Sequence, residues 1–206
     1  MKIISFLAFL AAVALATALP ARAERADRGK PLNVEADNGR YDDAKQAGTF
    51  TGNVVITKGS MVMRAAKIEV RQNADGYQFG IASAAGGKLA TFRQKREGID
   101  EFIEGEAERI EYDGRADTIR FIDRAVIRRF RGSVLADETA GSLITYDNTA
   151  EVFSVAGGAS AASPANPGGR VRAVLTPRDG SPAATEAGAA ASAPPLRPSG
   201  ALGTKP

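Results

Sequence analysis

Residues 50–70, FTGNVVITKGSMVMRAAKIEV, alternate apolar and polar side chains with one interruption. Phe50, Gly52, Val54 and Ile56 fall on one face, and Lys58, Gly59 and Ser60 break the run. Met61 and Met63 restart it, and Ala66, Ile68 and Val70 continue it. A period of two with a Gly-containing break predicts two strands around a turn and not an amphipathic helix. The pattern is also repeated along the chain. Ala36 stands five residues before the pair Tyr41-Asp42, Ala107 five before Tyr112-Asp113, and Gly141 five before Tyr146-Asp147. Such recurrence predicts a scaffold of similar short strands.

Proline sets the limits of that scaffold. None occurs between Pro31 and Pro164, as suits a continuous sheet, since proline is confined to sheet edges and bulges. Strands are expected at 32–36, 39–43, 49–57, 61–71, 77–82, 88–93, 102–104, 107–113, 118–122, 125–130, 133–137, 143–147, 151–155 and 171–176. Glycines 48, 52, 59, 105, 114, 132 and 141 punctuate them as turns and bulges, and no window has a helical period. The expected fold is all-β. Residues 156–169, rich in Ala, Ser, Pro and Gly, read as a flexible insertion before the last strand. Residues 177–206 have no aromatic or β-branched cluster and read as a disordered tail.

The N-terminus predicts export. Lys2 precedes an apolar run over 3–19, and Ala21-Arg22-Ala23 offers a small-x-small cleavage pattern, so 1–23 reads as a signal peptide cut after Ala23. A periplasmic, soluble mature protein is the expectation. The chain has no His, Cys or Trp, which removes Ser-His-Asp and Cys-His catalysis and His or Cys zinc sites. No metal site and no cofactor are expected. Residues 24–176 carry 22 Lys and Arg against 22 Asp and Glu, and so neutral a domain gives no support to nucleic-acid binding.

Several short motifs, in order, resemble one family. Leu32-Asn-Val-Glu-Ala-Asp37, Phe50-Thr-Gly-Asn-Val54, Ala65-Ala-Lys-Ile68, Ala90-Thr-Phe92, Gly105-Glu-Ala107, Ile110-Glu-Tyr112 and the closing 170–177 are similar to the LptA family of periplasmic lipopolysaccharide-transport proteins, with its OstA-like domain. The likeness covers about 31–176; the 156–169 insertion and the long tail depart from it. It implies an open, V-shaped β-jellyroll of short stacked antiparallel strands with an apolar interior. It also implies a bridge from inner to outer membrane that shelters lipid A and carries lipopolysaccharide to outer-membrane assembly. LptC would be the partner on the inner side, LptD on the outer, with head-to-tail self-association. Sheltering acyl chains is physically worthwhile at about 0.8 kcal/mol per methylene. No Gly-x-x-x-x-Gly-Lys motif is present, so a passive conduit driven by a partner ATPase is expected.

Alternation places Leu32, Val34, Val54, Ile56, Met61, Met63, Ile68, Val70, Phe92, Ile110, Tyr112, Ile119, Phe121 and Leu143 on the inner face. The lipid-binding candidates are Leu32, Val34, Ile56, Met63, Phe92, Tyr112 and Phe121. Of these, Leu32, Val34, Phe92 and Tyr112 match family positions that contact lipid. Assembly would use the end strands, through Leu32 and Val34 at one edge and Val171 and Val174 at the other, where unpaired backbone groups invite another strand. The basic clusters Arg93, Lys95, Arg96 and Arg128, Arg129, Arg131 read as solvated faces, with lipid phosphates at the groove mouth as the other reading. Glu101, Glu104, Glu106, Glu108 and Glu111 are explained by outer strand faces; a carboxylate hydrolase would need them paired in a cleft, and no enzyme is expected. A periplasmic module that binds carbohydrate or serves as a scaffold is the alternative. For sugar stacking, however, the chain offers no Trp and four Tyr.

Overall fold

The computed structural model describes residues 27–96, 98–164, 166–177 and 180–185. The expected signal peptide, most of the expected tail, and the stretch through residue 26 lie outside them. Twelve strands form one antiparallel hydrogen-bonded network. They are β1 Asn33–Glu35, β2 Asn38–Asp42, β3 Ala47–Lys58, β4 Met61–Gln72, β5 Gln78–Ser83, β6 Ala90–Lys95, β7 Glu101–Ala107, β8 Arg109–Asp113, β9 Thr118–Arg131, β10 Val134–Asp147, β11 Val152–Ala156 and β12 Arg172–Leu175. The all-β reading is therefore correct.

Four long strands, β3, β4, β9 and β10, each pair with different neighbours along their two halves. Their outer halves toward β2 and β11 join β2-β3-β4-β5-β8-β9-β10-β11 into a first sheet. Their other halves join β1-β3-β4-β6-β7-β9-β10-β12 into a second. The switch occurs at a crease. In β3 it lies at Gly52 and Asn53, both at positive φ, where the register shifts between Thr51 and Val54. In β9 it lies at Asp123 and Arg124, at φ of 61° and 49°, and in β10 the register shifts between Gly141 and Leu143. Bulges of this kind bend a strand without ending its pairing. Hence 118–122 with 125–130, and 133–137 with 143–147, read in sequence as separate strands, are single strands β9 and β10. Conversely, 107–113 divides at Glu108, whose N–H donates to the Asp123 carbonyl at 2.9 Å.

The sheets pack face to face. Phe92 of the second and Phe121 of the first meet edge to face with ring centroids 5.6 Å apart. Around them lie Val54, Ile56, Met61, Met63, Ile103 and Ile127 from the second sheet, and Ile68, Ile110, Ile119, Ile144 and Tyr146 from the first, all buried. Leu143 corrects the sequence reading. It faces outward, and its neighbour Ile144, at 0 % exposure, fills the core, because Tyr146 sets the inward parity of β10 beyond the shift at residues 141–143. Among the described residues the path of strands stays open: β1 and β2 pair only with β3, and β11 and β12 only with β10. In the 156–169 segment a 3-10 turn spans Ala159–Ala161, and the Gly158 N–H donates to the Gly169 carbonyl. Residues 182–185 form a helical turn.

Candidate functional site

The three Tyr-Asp pairs all sit at the tip of the first sheet, closing β2, β8 and β10. Each Asp turns the chain by accepting backbone N–H groups of the following residues. Asp42 Oδ1 takes the Lys45 N–H at 3.1 Å, Asp113 Oδ1 those of Arg115 and Ala116 at 2.9 Å, and Asp147 Oδ1 those of Thr149 and Ala150 at 2.7 and 2.9 Å. These are Asx turns, the local competition that favours Asp at strand ends. Four residues beyond each Asp the backbone takes positive φ, at Gln46, Asp117 and Glu151. The repeat seen in the sequence is thus one turn used three times, and it places a polar side chain at each tip. Of the three Tyr, Tyr112 and Tyr146 are buried while Tyr41 is half exposed.

Opposite these tips stand those of the second sheet, at residues 59–60 and 96–100. Between the two rows opens a cavity of about 670 Å³, with Met61, Ile103, Tyr112, Ile119 and Tyr146 on its apolar wall and Asp27, Arg28, Lys58, Arg96, Asp117 and Glu151 among its polar lining. The polar groups tie one sheet to the other. Lys58 donates to Gln78 Oε1 at 2.9 Å. Arg96 pairs with Glu151 across the gap and with Glu101 of its own sheet, the latter at 2.6 Å. Residues 27 and 28 form a strap: Asp27 accepts from Ser60 and from Gln94 of the second sheet, while Arg28 donates to the Arg115 carbonyl of the first. Gln94 Oε1, also on this wall, is buried and accepts no hydrogen bond among the described residues.

Burial shapes the electrostatics of this mouth. The Lys58 amine is pushed below its ordinary value by burial, with Asp117 pulling the other way. The Tyr112 phenol is pushed up to about 12 by burial and then by Asp117. Burial works against the Arg96 charge, but the hydrogen bonds to Glu101 and Glu151 outweigh it and hold the guanidinium above its usual range.

The structure brings Ile56, Met63, Phe92, Tyr112 and Phe121 together in one buried inner face, and packs the partly buried Leu32 and Val34 against it. Val171 and Val174 are about half exposed, on or beside β12. Lys58, read in sequence as part of a turn, is the last residue of β3, only 5 % exposed; the alternation through Val54 and Ile56 was the signal for its inward face. The basic clusters divide between faces. Arg93 and Arg128 lie on the outer face, in a ladder with Glu104, Glu106 and Glu138. Arg96, Arg129 and Arg131 lie on the inner face near the mouth and share Glu101. Glu101 is therefore not an outer-face residue, since it shares the inward parity of Ile103. Glu108 and Glu111 meet Arg124 and Arg109 with Arg120. The acidic run and the basic runs neutralise one another. Beyond the strands read in sequence as assembly edges, β2 and β11 are edges too, and β11 exposes Val152 and Phe153.

Residues 33–152 match the model of a family described as LptA/(LptD N-terminal domain) LPS transport protein. A lipopolysaccharide export system protein LptA of Haemophilus influenzae is 32% identical over 148 residues, covering 71% of this chain and 82% of its own. LptA of Escherichia coli K12 is 29% identical over 145 residues, covering 66% and 70%. LptH of Pseudomonas aeruginosa is 26% identical over 164 residues, covering 80% and 86%. A crystal structure of LptH from Pseudomonas aeruginosa, described as the LptA-homologous periplasmic component of the lipopolysaccharide transport device, superposes with a TM-score of 0.61 at 24% identity. It covers 74% of this chain and 99% of that one.

Proposed function

The chain belongs to the LptA/(LptD N-terminal domain) lipopolysaccharide-transport family, and from that premise we propose that it is a periplasmic lipopolysaccharide-binding bridge protein. The observation that carries this reading is the buried apolar face between two sheets, reached at one end through a charged cavity of about 670 Å³. That is the shape needed for a molecule with several acyl chains and a polar head. Chains go between the sheets, where each buried methylene is worth about 0.8 kcal/mol, and the head stays at the rim. Phe92 and Phe121, at 2 % and 0 % exposure, meet across the interior, so in this reading the sheets part as the chains enter. The lipid-facing set is Leu32, Val34, Ile56, Met63, Phe92, Tyr112 and Phe121. The protein is not an enzyme in this reading, and the drive for transport comes from an ATPase partner.

Assembly uses the open edges. Among the described residues the β1–β2 edge and the β11–β12 edge have no further strand neighbour, and the second also exposes Val152, Phe153, Val174 and Leu175. Strand addition at both edges would join copies head to tail and connect them to LptC at one end and LptD at the other. Residues 1–23 direct export and are removed by cleavage after Ala23.

Site-specific photo-crosslinking in cells tests the reading. A benzophenone side chain replaces Tyr112, which faces the cavity, and in a control replaces the exposed Arg120 of the outer face. A lipopolysaccharide adduct at 112 and none at 120 is expected. Equal or absent adducts, with the protein folded and exported, would sink it.

A further inference from the structure

We propose that the Arg96–Glu151 ion pair is an exchangeable closure: a phosphomonoester on an entering amphiphile displaces Glu151 from Arg96, which releases the mouth for the chains to part the sheets. The inference rests on the reading of the interior as a lipid shelter and adds a head-group subsite to it.

Position is the first argument. Arg96 follows β6 of the second sheet and Glu151 lies in the β10–β11 turn of the first, and both line the cavity above Ile103, Ile119 and Tyr146. Their pair spans the gap through which chains would pass. A ligand with its chains between the sheets has its head at this height.

The second argument is the asymmetry of Arg96's two carboxylates. Glu101 is held from several sides, by Arg96 at 2.6 Å, Arg131 at 3.5 Å and Arg129 at 3.9 Å, and its side chain is 17% exposed. Glu151 has Arg96 as its one ion partner among the described residues, its side chain is 48% exposed, and it sits in a turn at φ 55°. Exchange therefore takes Glu151, while Glu101 keeps the guanidinium in place.

Charge supplies the third. The cavity is lined by Arg28, Lys58, Lys95 and Arg96 and by Asp27, Asp100, Asp117 and Glu151, which balance. When Glu151 swings out to water the wall has one cation in excess. A phosphomonoester carries roughly −1.5 to −2 charge at neutral pH, against one for the carboxylate it replaces. The planar guanidinium fork also fits two phosphate oxygens. An amphiphile without phosphate must break the same pair with nothing to put in its place.

The test uses the full mature chain, with R96Q and E151Q variants verified as folded by thermal melting. Two probes are titrated: lipid A bearing its phosphates, and the same lipid A dephosphorylated. The readout is the ratio of the two affinities. E151Q should bind both probes more tightly at an unchanged ratio, because it removes the closure and spares the subsite. R96Q should lower the ratio by about tenfold, the size expected of one lost charge-assisted hydrogen-bonding group. A ratio unchanged in R96Q overturns the subsite, whether or not affinities rise. Affinities unchanged in both variants overturn the closure as well. Wild-type protein that binds neither probe overturns the lipid-shelter reading itself, a distinct failure. Spin labels at Ile99→Cys and Ala150→Cys, in a chain free of other cysteines, report the width of the mouth. Phosphorylated lipid A should widen it, and inorganic phosphate alone should not, having no chains to hold the sheets apart. Equal widening by both would overturn the lipid head group as the source of the phosphate.

Discussion

Gly105 shows how finely the interior is fitted at the level of one residue. It lies in β7 between Phe92 of β6 and Ile127 of β9, and a Cβ there would overlap the ring of Phe121 from the facing sheet. Gly105→Ala should cost about 1–3 kcal/mol as an overpacked core, and Phe121→Ala about 3–5 kcal/mol as a cavity, both measured by denaturant melts. If Gly105→Ala leaves the midpoint unchanged, the sheets are not in contact at that point. Tyr112 carries a pH signature. Its phenol titrates near 10 when unfolded and about 12 in place. The native state therefore favours the neutral form, with a stabilisation that is whole below pH 10 and lost as pH rises from 10 through about 12. Absorbance of phenolate should show a component titrating over that window, and Tyr112→Phe should remove it. At this scale the sequence was partly legible. Alternation placed Ile56, Met63, Phe92, Tyr112 and Phe121 inward correctly. Lys58 continues the alternation of Val54 and Ile56, but a lysine beside Gly59 resembles turn chemistry, and the groups that accommodate its amine, Asp117 and Gln78, are distant in sequence.

Among the elements, the repeated Tyr-Asp turn and the crease do different jobs. The turn is local, built by one carboxylate and the two or three residues after it, and so it could be recognised from spacing alone. Asp113→Ala, losing two accepted N–H bonds at an exposed tip, should cost about 1 kcal/mol. Asp113→Asn should recover most of it, since the amide oxygen accepts equally; a loss as large for Asn as for Ala would refute the turn's role. The crease is not local. The Asp37 N–H donates to the Gly52 carbonyl, Asn53 reaches Asp37 at 2.9 Å, and the bend of β9 is met by Glu108 from the junction of β7 and β8. The sequence around Asp123 and Arg124 therefore looks like a turn between two strands, while pairing with β7, β8 and β10 keeps it one strand. Leu143 was misplaced for the same reason, because a bulge changes parity at a point fixed by the partner strands.

For the molecule as a whole, the two sheets share four strands and one core, so neither is a separable unit. Hydrogen exchange should accordingly show β3, β4, β9 and β10 opening together at the global stability, while β12, exposed along its length, exchanges earlier. Separate opening of β1–β6 and β7–β12 would contradict this. Proposed association at the edges can be divided from folding with Leu175→Lys. At 75 % exposure this change should alter stability by no more than about 0.5 kcal/mol, yet weaken self-association measured by sedimentation. An unchanged association constant would move the contact to β11.

The continuity of the sheets also bears on tension. In antiparallel ladders the hydrogen bonds lie perpendicular to the strands, which here means along the line from the β1–β2 edge to the β11–β12 edge. A pull between those edges acts on the bonds end-on. Each rung is weak in that direction, but at every step the two sheets present their ladders side by side: β4 holds β5 over residues 67–72 and β6 over 62–64 at once. The molecule is therefore built like a double strap, in which one sheet cannot tear at any level unless the other tears with it.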